Sequence, residues 1–362
     1  MAQLSRRVQG LVQPHVRDAV PYDPDFAPCE VNLSANENSY GMPAGVRAAV
    51  NEAIAKTPMN RYPDAMANGL RDAIAAWYGV GRDNVCVGNG GDELIFNLFL
   101  AFGGEGRKLV DCAPSFSVYG LYAGMLGTTV ERCWRDPDTY EVSMAELLPM
   151  AKDADIVIVT SPNNPTGNLF PREDVAALCK ATKGVVLVDE AYIEFAEPSA
   201  RCDMLLATYD NLLVLHTFSK AFAMAGVRVG YLLGAADLID AFAAVRQPYT
   251  VDVFAQAAAK AVVANLREFD ASIAHIKASR ERFAQGLSEL PGVVVWPSAA
   301  NFLLVRIPDA AVVRRELRDG HSILVRDFSS TQGLEDCLRI TVGTDRENER
   351  VLEALGQILG EA

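Results

Sequence analysis

GVVLVDEA (residues 184–191) and LLVLHTFSK (residues 212–220) are the two runs that decide how this chain folds. Each is an unbroken stretch of β-branched and leucine residues, as a strand buried on both faces of a parallel sheet requires. Each then ends abruptly in polar side chains: Asp189 with Tyr192 three residues on, and Thr217, Ser219 and Lys220. Outward from this pair the same rhythm repeats. VCVGNG (85–90), KLVDCAP (108–114), DIVIVTSP (155–162) and VRVGYLLG (227–234) read as further strands. Between them PAGVRAAVNEAIAK (43–56), DELIFNLFLAF (92–102) and PREDVAALCKAT (171–182) carry apolar residues near i, i+3, i+4 spacing, the mark of covering helices. The expectation is an α/β protein with a mostly parallel central sheet and helices on both faces.

After about residue 250 the pattern changes. A long alanine-rich helical stretch runs through AQAAAKAVVANLREF and IAHIKASRERFAQGL and stops before Pro291 and Gly292. A smaller α+β unit follows: strand NFLLVRI (301–307), helix AAVVRRELRD (310–319), strands SILVRDF (322–328) and CLRITVGT (337–344), and a closing helix RENERVLEALGQIL (346–359). The division expected is an N-terminal arm over 1–45, a large domain over 46–250 and a small C-terminal domain over 251–362.

The 362 residues suffice for two such units, and 50% hydrophobic with 22% charged residues is a globular composition. The net charge of −13 argues against a nucleic-acid backbone or an anionic membrane as the main partner. No apolar run approaches the roughly 18 residues of a membrane span. The seven cysteines lack CxxC spacing, and the four histidines lack ligand spacing, so neither a zinc site nor a metal hydrolase is expected. Reduced thiols and a cytoplasmic location are the expectation.

In an open parallel sheet, chemistry gathers at the carboxyl ends of the strands. A carboxylate there, Asp189, invites a cationic partner, because burying it alone is costly. Lys220 sits where a low dielectric would depress its pKa and leave a nucleophilic amine. Arg228 follows eight residues later. Gly90, Gly91, Asp92 and Glu93 lie where a strand feeds a helix, a place whose free N–H groups suit a phosphate. SPNNPTG (161–167) fixes Asn163 and Asn164 in a rigid turn, and Phe116 stands ready to stack on a ring. Taken singly, each is ordinary: a glycine turn and cap, a solvated lysine, a core phenylalanine. Together along one sheet they fit an aromatic aldehyde bearing a phosphate and a pyridine nitrogen, such as pyridoxal 5'-phosphate.

The motifs LSANENSYG (33–41), RYPD (61–64), GNGGDE (88–93), SPNNPTG, VDEAYIEF (188–195), TFSKAFAMAGVRVGY (217–231), ANFLLVR (300–306), LVRDF (324–328) and LRITVGT (338–344) span nearly the whole chain. With them the sequence resembles the fold-type I pyridoxal-phosphate aminotransferases, and within these the histidinol-phosphate aminotransferase branch. The resemblance implies that Lys220 joins the cofactor aldehyde and then carries the reaction's proton, and that Asp189 meets the pyridine nitrogen. Tyr192 and Asn164 would bind the phenolic oxygen. Phe116 would stack on the ring, and Thr217, Ser219, Arg228, Gly91 and Asp92 would hold the phosphate. Tyr62 would reach that phosphate from the other subunit of a homodimer. Tyr22, Asn36, Arg326 and Arg339 would receive small-molecule substrates, with an arginine fork accepting either carboxylate or phosphate.

The activity so implied is amino transfer between histidinol phosphate and 2-oxoglutarate, giving glutamate, in histidine biosynthesis. Two rivals use the same residues: an aromatic amino-acid (phenylalanine) aminotransferase and a decarboxylase acting on threonine phosphate. A cofactor-holding regulator is a third, but no helix-turn-helix pattern precedes the first helix and the chain is acidic.

Overall fold

The computed structural model describes residues 5–13, 16–17 and 27–360. Its strands, in chain order, are β1 (Val31–Leu33), β2 (Val85–Gly88), β3 (Lys108–Ala113), β4 (Thr129–Trp134), β5 (Ile156–Thr160), β6 (Val185–Asp189), β7 (Leu212–Thr217), β8 (Gly230–Gly234), β9 (Val294–Val295), β10 (Phe302–Arg306), β11 (Ile323–Asp327) and β12 (Cys337–Thr341). Seven of them form one sheet in the order β2-β8-β7-β6-β5-β3-β4, parallel except at β8, which runs against both of its neighbours.

Every residue of β5, β6 and β7 is buried, as their unbroken apolar sequences require. Successive side chains enter two different cores. Val157, Val159, Val186, Val188, Leu212 and Val214 join one cluster. Ile156, Ile158, Leu187, Leu213 and Leu215 join the other. This period of two is the strand pleat itself, and it gives the sheet two apolar faces that must each be covered. Helices Ala44–Ala55, Asn68–Tyr78 and Arg172–Ala181 bury residues in the first cluster. Helices Gly90–Phe102, Val118–Met125 and Ala236–Val245 bury residues in the second. Each fully buried valine or leucine contributes about 1.5–3 kcal/mol.

The second sheet has the order β1-β11-β12-β10-β9, with β1 parallel to β11 and the other pairs antiparallel. Its Leu303, Val305, Ile323 and Ile340 belong to the same cluster as the first face of the large sheet. One continuous core therefore fixes the two sheets against each other.

Three expectations need correction. The alanine-rich stretch is two helices, Val253–Val263 and Asp270–Ser288, with a 3-10 turn over Leu266–Phe269 between them. Phe269 is fully buried there, and turning the chain brings it into the core that a continuous helix would carry it past. The strand expected over residues 227–234 begins only at Gly230, because Ala225–Val227 is a 3-10 turn and Arg228 adopts a left-handed conformation, φ 58°. Finally, β4 was not anticipated. It is an edge strand with only Cys133 fully buried, so it lacks the apolar run by which the central strands are read. No helix among the described residues is long and apolar enough to cross a membrane.

Candidate active site

The carboxyl ends of the parallel strands open into a cavity of about 550 Å³. The reversed direction of β8 explains why Arg228 precedes its strand whereas Lys220 follows β7: both positions lie at the same edge of the sheet. The cavity brings together Gly91, Asp92, Phe116, Asn164, Asp189, Tyr192, Thr217, Ser219, Lys220 and Arg228. From the smaller sheet come Arg326 and Arg339, and from the segment after β1 comes Asn36. Tyr62 is not part of it; its side chain is 83% exposed and stacks on Tyr249 at 4.7 Å. Tyr22 lies outside the described residues, as does His15.

Helix Gly90–Phe102 begins one residue after Asn89, so the N–H groups of Gly91 and Asp92 belong to its first turn and have no partner within the helix. Glycine at 90 is a steric need. Its φ is +76°, and a Cβ there would run into the Arg228 guanidinium. Gly230 is equally constrained, since its Cβ would lie 2.8 Å from the backbone of Gly90 and Gly91. This close approach sets the arginine over the helix start, where Arg228 Nη2 lies 3.0 Å from Asp92 Oδ2. Thr217 Oγ1 donates to Ser219 Oγ at 2.9 Å beside it. First-turn N–H groups, two hydroxyls and a guanidinium make a donor set suited to a phosphate.

Asp189 ends β6 and is 5% exposed. Tyr119 Oη donates to its Oδ2 at 2.6 Å and the Ala191 N–H to its Oδ1 at 3.0 Å. Burial nevertheless pushes the carboxyl up to about 6, against the lowering effect of those bonds. A cation placed beside it would restore the carboxylate to its ordinary range. Lys220 Nζ donates to the Ala35 carbonyl at 2.8 Å. Burial first, and then the positive charge of Arg339, push its amine down to about 8.

Strand alternation decides what faces the cavity. Asp189 and Thr217 line it, while their neighbours Glu190 and His216 do not and are wholly buried. Glu190 accepts from the Cys202 N–H at 2.6 Å, and burial pushes its carboxyl up to about 8.

On the other wall, Arg326 and Arg339 are direct cross-strand partners on β11 and β12. Both guanidinium groups lie within 6 Å of the Phe328 ring. Arg339 Nη1 donates to Asn164 Oδ1 at 2.5 Å and its Nη2 to the Ser34 carbonyl at 2.6 Å. This contact ties the SPNNPTG turn, the smaller sheet and the segment after β1 to one side chain. Asn36 has φ 55° and donates from Nδ2 to Tyr192 Oη at 3.0 Å, while Asn301 Nδ2 and the Thr341 hydroxyl hold Asn36 in turn. With the Asn164 Oδ1 engaged by Arg339, its amide nitrogen remains the donor for a ligand oxygen.

The donor set fits pyridoxal phosphate: an amine for the aldehyde, a buried acid for the ring nitrogen, and a phosphate cradle. One participant was missed in the sequence. Tyr119 stands three residues after Phe116, on the first turn of the helix that follows it, and nearness to that aromatic residue is the one signal the sequence offered for it. Among the described residues no group of three or more His, Cys, Asp or Glu side chains is placed to hold a metal ion.

Residues 29–355 match the family described as aminotransferase class I and II. The chain is 39% identical over 340 residues to histidinol-phosphate aminotransferase 1 of Carboxydothermus hydrogenoformans, covering 94% of this chain and 96% of that protein. It is 34% identical over 355 residues to histidinol-phosphate aminotransferase of Ruminiclostridium cellulolyticum, covering 96% and 98%. In three dimensions it resembles the Sinorhizobium meliloti histidinol-phosphate aminotransferase in complex with pyridoxal-5'-phosphate, with a TM-score of 0.87 over 97% of this chain and 98% of that one. At 24% identity this last likeness is one of fold.

Proposed function

Because this chain belongs to the class I and II aminotransferases, enzymes that work with pyridoxal phosphate, we propose that it moves an amino group between L-histidinol phosphate and 2-oxoglutarate. The products are 3-(imidazol-4-yl)-2-oxopropyl phosphate and L-glutamate, in a step of histidine biosynthesis. The observation that carries the proposal is the pair Arg326 and Arg339 across one cavity from Lys220 and Asp189. A guanidinium fork binds carboxylate and phosphate alike, so one site serves glutamate in one half-reaction and a phosphate ester in the other. The names of the two relatives above support the choice of ester.

Bound pyridoxal phosphate supplies an electron sink for bond breaking at the amino-bearing carbon of the substrate. The residues of the chain do the rest. Lys220 as the neutral amine would take the proton from that carbon and, as the ammonium, would give it to the aldehyde-derived carbon of the cofactor, C4′; in the second half-reaction the same amine would carry the proton in the opposite direction. An amine near 8 suits both directions, because general acid–base work is most efficient when the pKa lies close to the working pH. Asp189 holds the ring nitrogen in its protonated form. Tyr192 and Asn164 direct hydrogen bonds at the phenolic oxygen, and Phe116 covers the ring face. Thr217, Ser219, Arg228 and the first-turn N–H groups of Gly91 and Asp92 anchor the phosphate.

We further propose a homodimer in which the exposed Tyr62 faces the phosphate of the neighbouring subunit, and a cytoplasmic setting, which the six buried free thiols support. The test compares kcat/KM for histidinol phosphate and phenylalanine with 2-oxoglutarate as acceptor, alongside Lys220→Ala. Histidinol phosphate should be preferred and the variant should not turn over. Preference for phenylalanine would replace the substrate, and near wild-type turnover by Lys220→Ala would remove the mechanism. Release of carbon dioxide without need of a keto acid would make the chain a lyase.

A further inference from the structure

Tyr119 is wholly buried at the base of the cavity, on the first turn of helix Val118–Met125. Its hydroxyl oxygen lies 2.6 Å from Asp189 Oδ2 and 2.9 Å from Thr160 Oγ1. A phenol carries one proton. At 2.6 Å the contact to Asp189 is in the range of a hydrogen bond to an ionised acceptor, which assigns that proton to the carboxylate. The Tyr119 oxygen then accepts, and the Thr160 hydroxyl donates to it. The result is a directed chain from Thr160 at the end of β5, through Tyr119, to Asp189 at the end of β6. The ring of Tyr119 also meets Phe116 edge to face at 5.6 Å. One residue thereby contacts both the acid and the aromatic side chain of the site.

We propose that Tyr119 is the positioning residue for the cofactor's ring nitrogen: its hydroxyl fixes the Asp189 carboxylate in orientation and keeps it ionised, so that the remaining lone pairs receive the ring N–H. This rests on the pyridoxal-phosphate reading of the site. Asp189 is a buried acid, and three other features bear on its charge. Lys220 at the end of β7 favours ionisation, Asp92 from helix Gly90–Phe102 opposes it, and the Ala191 N–H supports it from the same segment. Asp111 on β3 acts on Tyr119 and raises the energy of a phenolate there, which keeps the phenol protonated and donating. Among the described residues Tyr119 is the donor to Asp189 that is itself held by a second hydroxyl, and that is what gives the carboxylate a single orientation.

The test is cofactor affinity of the apoprotein, measured across pH by equilibrium dialysis with pyridoxal phosphate, for wild type, Tyr119→Phe, Thr160→Val and Phe116→Leu. Tyr119→Phe keeps the ring and removes the hydroxyl. It should weaken binding roughly 10- to 100-fold near neutral pH, as loss of a hydrogen bond to a charged group does. It should also move the acid limb of the binding profile upward by about one pH unit, since the carboxylate then loses support against protonation. Thr160→Val should shift the limb in the same direction by less. Phe116→Leu should weaken binding with the limb unmoved, because it alters ring packing and leaves the donor chain intact. Tyr119→Phe that matches wild type in affinity and limb position would overturn the proposal. So would a loss of affinity with the limb unmoved, which would make Tyr119 a packing residue like Phe116. Wild-type protein that takes up no cofactor would overturn the underlying reading and the inference with it.

Discussion

Replacing Gly90 by alanine separates a backbone cost from a functional one. The residue sits at φ +76°, and an L side chain in left-handed backbone costs about 1–2 kcal/mol. That part should appear as a modest fall in melting temperature. The new Cβ would also lie too close to Arg228 Nη2 to coexist with it, and the displaced atom is the far end of a flexible side chain, so the arginine moves and the helix stays. Arg228 would then give up its 3.0 Å contact with Asp92 and its station over the first-turn N–H groups. A charge-assisted hydrogen bond is worth about 1.5–3 kcal/mol, so affinity for pyridoxal phosphate should fall roughly 10- to 100-fold. Apoprotein titrated with the cofactor, together with thermal melts, gives both numbers. Combination with Arg228→Ala tests the route: if Gly90→Ala acts through the arginine, the double variant binds the cofactor no worse than Arg228→Ala alone. Additive losses, or a lowered melting temperature with unchanged affinity, would refute the reasoning.

Arg339→Lys keeps the charge but cannot span Asn164 Oδ1 and the Ser34 carbonyl together while also forking onto a substrate anion. The KM for glutamate should rise roughly 10- to 100-fold with a smaller change in kcat; an unchanged KM would remove Arg339 from substrate binding. Glu190 lies behind the site with its carboxyl pushed up to about 8 by burial, against an ordinary value of 4.5. Between those values the folded state holds a proton that the unfolded state has released, so this residue lowers stability progressively as pH rises across that window. Glu190→Gln can still accept from the Cys202 N–H, and it should raise the melting temperature at about pH 8.5 with little gain at about pH 5. An equal gain at both would show that the carboxyl does not titrate there.

The central strands and the residues at their ends were legible because both signals are local. A strand buried on both faces has no place for a polar residue, so VVLVD and LLVLHT announce their ends by the first polar side chains that intrude. The lysine, the acid and the phosphate-cradling helix start therefore stand out in one dimension. The edge strand Thr129–Trp134 was not legible, since an edge tolerates Glu131 and Arg132 and lacks the continuous run. Nor was the break in the alanine-rich helix, where burial of Phe269 overrides a sequence that favours continuation.

What the sequence by itself determined is the central strands, the order of reactive groups and the kind of ligand they suit. Tertiary structure alone decided which groups meet. Tyr119 finds Asp189 across 70 positions, and Arg339 finds Asn164 across 175. The pairing of Arg326 with Arg339 is a matter of antiparallel register, and the seat of Arg228 depends on β8 running against its neighbours and on two glycines at close approach. Burial and propensity act residue by residue and leave a periodic trace in the chain. Contacts between distant residues leave none, because they arise only when separate elements close on a shared core.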